Sequence, residues 1–484
     1  MKKLFWVIAL LGFVFGGANL ARAQSRAKLF AFKEILSAKL DKSSIASVRE
    51  SEITFDSLSL SRTETLEISL FDGKTYLAKH FQTEMRAVDD YTWRGRISQG
   101  KFEGDVILTF KKGYVAGLIY APTDQVYEIV PKGEKQILIE LNQSLFPECA
   151  GAIKGDESKP KPENAIATTD SGDRIDVLVL YTTPVKTSLG GDAQAQAFAQ
   201  SAIDTTNTTY INSKIRQRVR LVNASETAIA ETGALSSELS TVRNDATVAA
   251  LRNQYNADLV AMISNSSDAC GIGYLMGSAN PLNGFTVTSR TCAVGNLSFP
   301  HELGHNMASQ HNPENGSNPT YPYGFGHYVN GVFRTVMSYV DPCTSGCTRR
   351  PYFSNPEVLF SGFPTGIDNA RDNARSINNT ADTIANYRYS GSNLLMNNFN
   401  GGEALPRNVA RALTWSSDNL TGNVRIEISR DESTNWETLI ANTPNDGTER
   451  VTVYGRATRR ARLRVVSIDN PFVSDSSVRN ISIR

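Results

Sequence analysis

The run His301-Glu302-Leu303-Gly304-His305-Asn306-Met307-Ala308-Ser309-Gln310-His311 constrains this chain more than any other segment. Two histidines four apart on a helix lie about one turn from each other on the same face, so both imidazoles reach one ion. The third, six residues further on, joins them only if the helix ends and the chain turns back. Ser298 can cap such a helix and Pro300 fits its first turn. The chain holds five histidines in 484 residues. Three of them falling here with glutamate in place is a coincidence with odds on the order of 10⁻⁵ to 10⁻⁴. The reading as satisfied core histidines therefore fails. His80 and His327 have no such context and read as structural or surface residues.

Three protein nitrogens leave the fourth position of a tetrahedral zinc open to water, which distinguishes a catalytic site from a structural one. The ion brings the pKa of such a water to about 7. Glu302, adjacent to the first histidine, is placed to take its proton and return it to a departing amine. One catalytic Zn²⁺ is the cofactor this donor set implies, and a structural Ca²⁺ is left open.

Lysine and arginine number 50 against 49 acidic residues, so no basic surplus argues for nucleic acid. Lys2 and Lys3 precede the apolar run Leu4 to Phe15 and the small-x-small site Ala21-Arg22-Ala23, the pattern of a secretory signal at 1–23. That run is shorter than the roughly 20 residues a membrane span needs, and no later segment is apolar enough. The expected location is extracellular, with the periplasm as a stage in transit. Of five cysteines, Cys270, Cys292, Cys343 and Cys347 surround the histidine cluster. Three pairings are open to them, and sequence order suggests Cys270 with Cys292 and Cys343 with Cys347. Cys149 is left over.

Composition changes character twice. From about 25 to 150 the pattern is strand-like, with Val106 to Phe110, Lys111-Lys112-Gly113 and Tyr114 to Tyr120 reading as a hairpin. Residues 151–174, including Lys159-Pro160-Lys161-Pro162, have almost nothing to bury and read as an exposed linker open to proteolysis. Ile175 to Tyr181 is then continuously apolar, as for a strand covered on both faces. Helical spacing at Ala195, Phe198, Ala199, Ala202, Ile203 and Tyr210 follows. A strand at Val219 to Val222, one helix from about Ser236 through Ala249 and a strand at Asp258 to Ile263 complete a mostly parallel α/β pattern. From about Asn393, short alternating strands with turn signals read as an all-β sandwich, with Trp415 and Trp436 in its core.

The histidine segment resembles the metzincin signature, and Val336-Met337-Ser338-Tyr339 resembles its Met-turn. Ile175 to about Tyr387 is similar to the reprolysin-like (adamalysin-type) endopeptidases, and more closely to bacterial secreted relatives such as the peptidyl-Asp metalloendopeptidases. Supporting residues are Ile175 to Tyr181, Ala257 to Val260, Cys270-Gly271-Ile272-Gly273 and Phe353-Ser354-Asn355-Pro356. The resemblance implies an α/β (α+β) metzincin catalytic domain at 175–390, with a twisted mixed sheet and an active-site helix. A β-rich propeptide at 24–150, a linker with the activation cleavage at 151–174 and a C-terminal β-sandwich at 391–484 flank it. It implies a zinc endopeptidase acting on proteins or peptides, ligated by His301, His305 and His311, with Glu302 as base and Met337 as a packing platform. Tyr339 is a candidate transition-state group. Substrate would lie along an edge strand, for which Phe285 to Thr288 is the candidate.

Two positions depart from the family pattern. Ala308 replaces a glycine where a left-handed turn is expected, at a cost of roughly 1 to 2 kcal/mol. Asn312 stands where these enzymes carry aspartate. Cys149, just before the linker, is a candidate cysteine switch, a propeptide thiolate offered to zinc in place of water. Arg349 and Arg350, beside the Cys343 to Cys347 loop, read either as a cationic site for an acidic side chain or as a solvated loop. The C-terminal unit is expected to bind a surface polymer or to support export. The alternative to an enzyme is a catalytically weak metzincin scaffold that acts in surface binding or adhesion.

Overall fold

A computed structural model describes residues 25–36, 46–100, 102–155, 169–433 and 435–484. The expected signal at 1–23 and the Lys159 to Pro162 stretch lie outside the described residues.

Ten strands between Arg26 and Leu141 form one sheet, antiparallel at every pairing except that of Arg26–Lys28 with Thr65–Ser69. Phe102–Lys111 and Tyr114–Tyr120 make the expected hairpin. Its two turn residues, Lys112 and Gly113, both have positive φ, which matches the twist of the paired strands. One face of the sheet closes over its own core around Trp93, Phe110 and Ile119. The other, through Leu118, Tyr120, Val130 and Ile139, joins the core of the next unit.

That unit is built on six strands: Ala152–Lys154 (β1), Arg174–Thr182 (β2), Arg218–Thr227 (β3), Leu259–Ser264 (β4), Gly271–Leu275 (β5) and Phe285–Ser289 (β6). They lie in the order β1-β5-β6-β4-β2-β3, all neighbours parallel except β5 with β6. The alternation within β2 explains its continuous apolar run. Val177 and Val179 enter the core under Asp192–Asn212 (α1), while Leu178 and Leu180 enter the core under Leu235–Asn244 (α2) and Ala246–Gln254 (α3). One expected helix is thus two. The Asp245 carboxylate accepts Val248 N–H at 2.9 Å and caps a new helix, which breaks the first.

α1 is buried nearly all round. Its apolar stripe faces the strands as its spacing predicts. Its polar side, with Gln194, Gln200, Asp204, Thr208 and Asn212, is covered by the ten-stranded sheet.

Beyond Asn373–Ile384 (α5 in a chain where α4 is Ser298–Asn306), Asn393 to Ile483 forms two packed β-sheets around Leu413, Trp415, Ile426, Leu463 and Ile481. Trp415 is core, whereas Trp436 is only half-buried, with the Arg464 guanidinium 4.1 Å above its ring. No helix among the described residues is long and apolar enough to cross a membrane.

Candidate metal centre

α4 carries His301, Glu302 and His305, all fully buried. Its start differs from expectation. Leu297, with φ of 56°, is the residue before the helix, and Ser298 is already helical and caps nothing. The Ser298 hydroxyl instead accepts from Asn296 Nδ2 at 3.3 Å. Asn306 fixes the other end through Nδ2, which donates to Tyr274 O at 2.9 Å and Asn283 O at 2.8 Å.

The helix stops where the third histidine requires it to. Met307 N–H and Ser309 N–H both donate to Gly304 O, and Ala308 takes a φ of 62°. The left-handed turn is thus made with a non-glycine residue. His311 then returns to the helix. Its Nε2 lies 3.2 Å from that of His301 and 3.0 Å from that of His305. Three nitrogens about 2.05 Å from one tetrahedral ion would be about 3.3 Å apart, so the trio fits zinc.

Each ring is aimed from behind. His301 Nδ1 donates to Val336 O at 2.8 Å and His305 Nδ1 to Ser309 O at 2.9 Å, leaving both Nε2 atoms toward the centre. Burial, first among the causes, holds His301 and His311 well below the usual histidine range and His305 at about 4. All three are therefore neutral at pH 7, the protonation state a metal ligand needs. Neither Glu302 oxygen has a hydrogen-bond partner among the described residues, and burial raises the carboxyl to about 8. A buried carboxyl without a hydrogen-bond partner, beside three convergent imidazoles, is what a water and a cation would satisfy, the cation favouring its ionised form.

Two glycines make room here. A Cβ on Gly271 would lie 2.5 Å from Glu302 Oε1, and one on Gly304 2.7 Å from Met337 Sδ. Met337 is fully buried under α4. Asn312 ties the third-histidine loop to the Met-turn, since its Oδ1 accepts Tyr339 N–H at 3.0 Å. The Tyr339 ring lies 4.3 Å from that of His311. Cys270 is bridged to Cys292 and Cys343 to Cys347.

The edge-strand expectation needs correction. Phe285 to Thr288 belongs to β6, which is interior, between β4 and β5. The edge of the continuous sheet is β5, and β1 covers it in parallel register, Ala152 opposite Gly273. The segment leading into β1 is pinned by Cys270 N–H to Glu148 O at 3.2 Å and Ala150 N–H to Gly271 O at 2.8 Å. This brings Cys149, buried and unbridged, to the centre, where its Sγ, a His301 nitrogen and a Glu302 oxygen lie within 4.8 Å of one another. Burial, and then Glu302, push its thiol up. The Tyr339 hydroxyl donates to Cys149 O at 2.8 Å.

Arg349 and Arg350 are not a solvated loop, for both are buried. Arg350 turns to the ten-stranded sheet, donating to Thr123 O at 2.5 Å and lying between the Tyr120 and Phe360 rings. His80 bonds Thr83 within that sheet, and His327 packs near Arg371 and Phe333. Sequence reasoning missed Glu148, whose Oε1 accepts Val340 N–H at 2.8 Å. No local pattern marks it.

A buried three-histidine centre on a helix under a mixed sheet, with an unpaired glutamate beside it, defines a metallopeptidase. Residues 171–354 match the family model described as metallo-peptidase family M12. The chain is 30% identical over 338 residues to the peptidyl-Asp metalloendopeptidase of Stenotrophomonas maltophilia (strain R551-3), covering 66% of this chain and 78% of that one. It is 30% identical over 350 residues to the protein of the same name from Xanthomonas campestris pv. campestris (strain ATCC 33913), covering 67% and 82%. The chain belongs to the reprolysin-like metallopeptidases of family M12 and is a zinc metalloendopeptidase.

Proposed function

We propose that this chain is the exported, latent precursor of an endopeptidase that cuts proteins next to aspartate. In this reading His301, His305 and His311 hold one zinc and Cys149 blocks the centre until the linker at 151–174 is cut. The convergence of three Nε2 atoms beside the unpartnered Glu302 carboxyl, with the Cys149 thiol within 4.8 Å of a His301 nitrogen and a Glu302 oxygen, carries the proposal. The name that these relatives carry, peptidyl-Asp metalloendopeptidase, supports aspartate as the recognised residue.

Zinc, when bound, supplies Lewis acidity toward water and the scissile carbonyl. Glu302 takes a proton from the attacking water and passes it to the departing nitrogen. Glu302 is fully buried, and the bare Gly271 leaves its oxygens room. Tyr339 already donates to a carbonyl of the chain lying in the cleft, which supports the same hydroxyl as donor to a substrate oxyanion. β5 offers the edge on which an extended substrate pairs once β1 has left. With Trp415 in the core and Trp436 beneath Arg464, the C-terminal sandwich suits support of folding and export better than sugar binding.

Cys149→Ala tests the reading. The full-length variant, found in culture supernatant, should cleave an aspartate-containing peptide without prior cutting of the linker. Unchanged latency would sink the switch.

A further inference from the structure

Glu148 holds a place beside the centre that its neighbours make specific. Its side chain is 29% exposed, while that of Arg349, with Nη2 3.6 Å from Glu148 Oε2, is wholly buried. Arg349 Nη1 donates to Asn296 O at 2.9 Å and Nη2 to Ser338 O at 3.2 Å. Its Nε has no hydrogen-bond partner among the described residues. Arg334 is buried alongside and also donates to Ser338 O, at 2.8 Å. Burial, and then the charge of Arg349, bring its pKa down to about 9. Among the described residues, Glu148 is the one carboxylate in an ion pair with either guanidinium.

Taking Glu148 away strands this charge. A buried cation that loses its partner is strongly destabilised, and backbone carbonyls carry only partial charge. The vacated space therefore favours another carboxylate of similar reach, with the Val340 N–H as a second, directional contact. Position follows from the chain. Cys149 Sγ sits at the centre and Glu148 is one residue away, so a substrate whose scissile carbonyl takes the thiol's place puts a flanking side chain where Glu148 was. Arg350 is set apart by position, since its partners Tyr120, Thr123 and Asp124 lie on the ten-stranded unit and, among the described residues, it pairs with neither Glu148 nor Val340.

We propose that Arg349 and the Val340 N–H form the subsite for the acidic side chain flanking the scissile bond, and that Glu148 fills this subsite in the latent chain. The inference rests on the reading that the segment through Cys149 is a removable blocker.

The test uses enzyme purified after the linker is cut and two peptides that differ only in Asp or Asn beside the scissile bond. The Asp peptide should have the higher kcat/KM by about 10²-fold. In Arg349→Gln that ratio should fall to a few-fold, and Arg349→Lys should restore part of it. Because Arg349 is buried and its variants can fail to fold, the wild-type enzyme is also titrated with a peptide copying residues 146–154 and with its Glu148→Gln twin. The twin should inhibit at least about tenfold more weakly. Equal cleavage of the Asp and Asn peptides, equal inhibition by the two copies, or an unchanged ratio in folded Arg349→Gln would each overturn the subsite. Failure of the blocker reading looks different. Then neither copy inhibits and Cys149→Ala stays latent, while the Asp to Asn ratio still decides for or against Arg349.

Discussion

The two β units that flank the catalytic sheet are alike in class and unlike in what they touch. The ten-stranded unit lies on the polar side of α1. There Arg86 donates to Asp204 from Nη1 at 3.1 Å and Nη2 at 3.3 Å, Arg94 Nε to Thr208 at 2.8 Å and Arg96 to Asn212 at 2.9 Å. Its chain then runs on through Glu148, Cys149 and β1 into the centre. The C-terminal unit is held through Ser171 to Asp475, Ser476 to Asp173 and Lys214 to Glu432. The backbone partners of the three histidines, Val336, Ser309 and Asn315, all belong to the catalytic unit. Strand content therefore says nothing about role, whereas connectivity does. If the ten-stranded unit leaves, as proposed above, the glutamine, threonine and aspartate of α1 suit water afterwards, while the apolar patch facing Leu118, Tyr120, Val130 and Ile139 is laid bare.

The sharpest break in this comparison is catalytic. In the proposed mechanism Glu302→Gln loses only proton transfer, so it should lower kcat/KM of the activated enzyme by about 10³-fold with zinc content unchanged. Deleting 391–484 should change the same constant by a few-fold at most. A truncated chain that folds, holds zinc by metal analysis and is as impaired as Glu302→Gln would show that the C-terminal unit does shape the centre.

Stability gives the next contrast. Asp204 is buried among Arg86, Thr92 and Thr109, and Arg86, chief among its partners, offsets the upward push of burial to hold it below the usual carboxylate range. Asp204→Asn should destabilise the latent chain by about 3 kcal/mol in urea unfolding, since Arg86 keeps Asp90 and Glu84 but loses the one fully buried carboxylate among its partners. If the N-terminal unit leaves as proposed, the position faces water, and the same change should cost less than about 0.5 kcal/mol. Equal losses in both forms would mean that α1 is not the surface being uncovered.

A third contrast is in pH. Glu128, on the ten-stranded sheet, packs against Gly295 of the catalytic unit, and burial raises its carboxyl from 4.5 to about 8, against the pull of Arg290; Glu50 adds to the rise. Between those values the folded chain keeps a proton that the unfolded chain has released. Stability of the latent form should then fall as pH rises from about 4.5 to 8, by at most about 1.4 kcal/mol per pH unit. Glu128→Gln should flatten the slope. Asp475 in the C-terminal unit, raised to about 7 by burial and then Asp173, gives the same sign. Glu302, also raised to about 8 by burial, and Asp372, raised to about 6 by burial, titrate in the same window, so the effect of Glu128 is the difference between the wild-type slope and that of Glu128→Gln.

The legible parts of this molecule were those set by short spacing. His301 and His305 share a helix face, Lys112-Gly113 fixes a hairpin, and β2 is apolar on both faces because both are covered. Strand order was not legible. β5 and β6 are both short and buried, and only long-range pairing makes one of them the edge. Arg349 and Arg350 were equally hard to read, because a charged pair in a cysteine loop resembles a solvated surface until its buried acceptors are known. Ser298 failed as a cap because Leu297 takes the left-handed conformation just ahead of it.

The smallest effect tests a feature that should ignore both β units. Ala308 holds φ at 62° while fully buried. Glycine would remove a strain of about 1 to 2 kcal/mol. It would also remove a buried methyl worth about 0.8 kcal/mol. The balance for Ala308→Gly is a gain between about 0 and 1 kcal/mol, read as a small rise in Tm. The turn is closed within the catalytic unit by Met307, Ala308 and Ser309 N–H groups on Gly304 and His305 carbonyls. The shift should therefore be the same in the latent chain, in the activated chain and in a chain lacking 391–484. A fall in Tm would mean that packing of the methyl, and not backbone strain, governs the turn. A rise confined to the latent chain would mean that the ten-stranded unit reaches the third-histidine loop as well as Cys149.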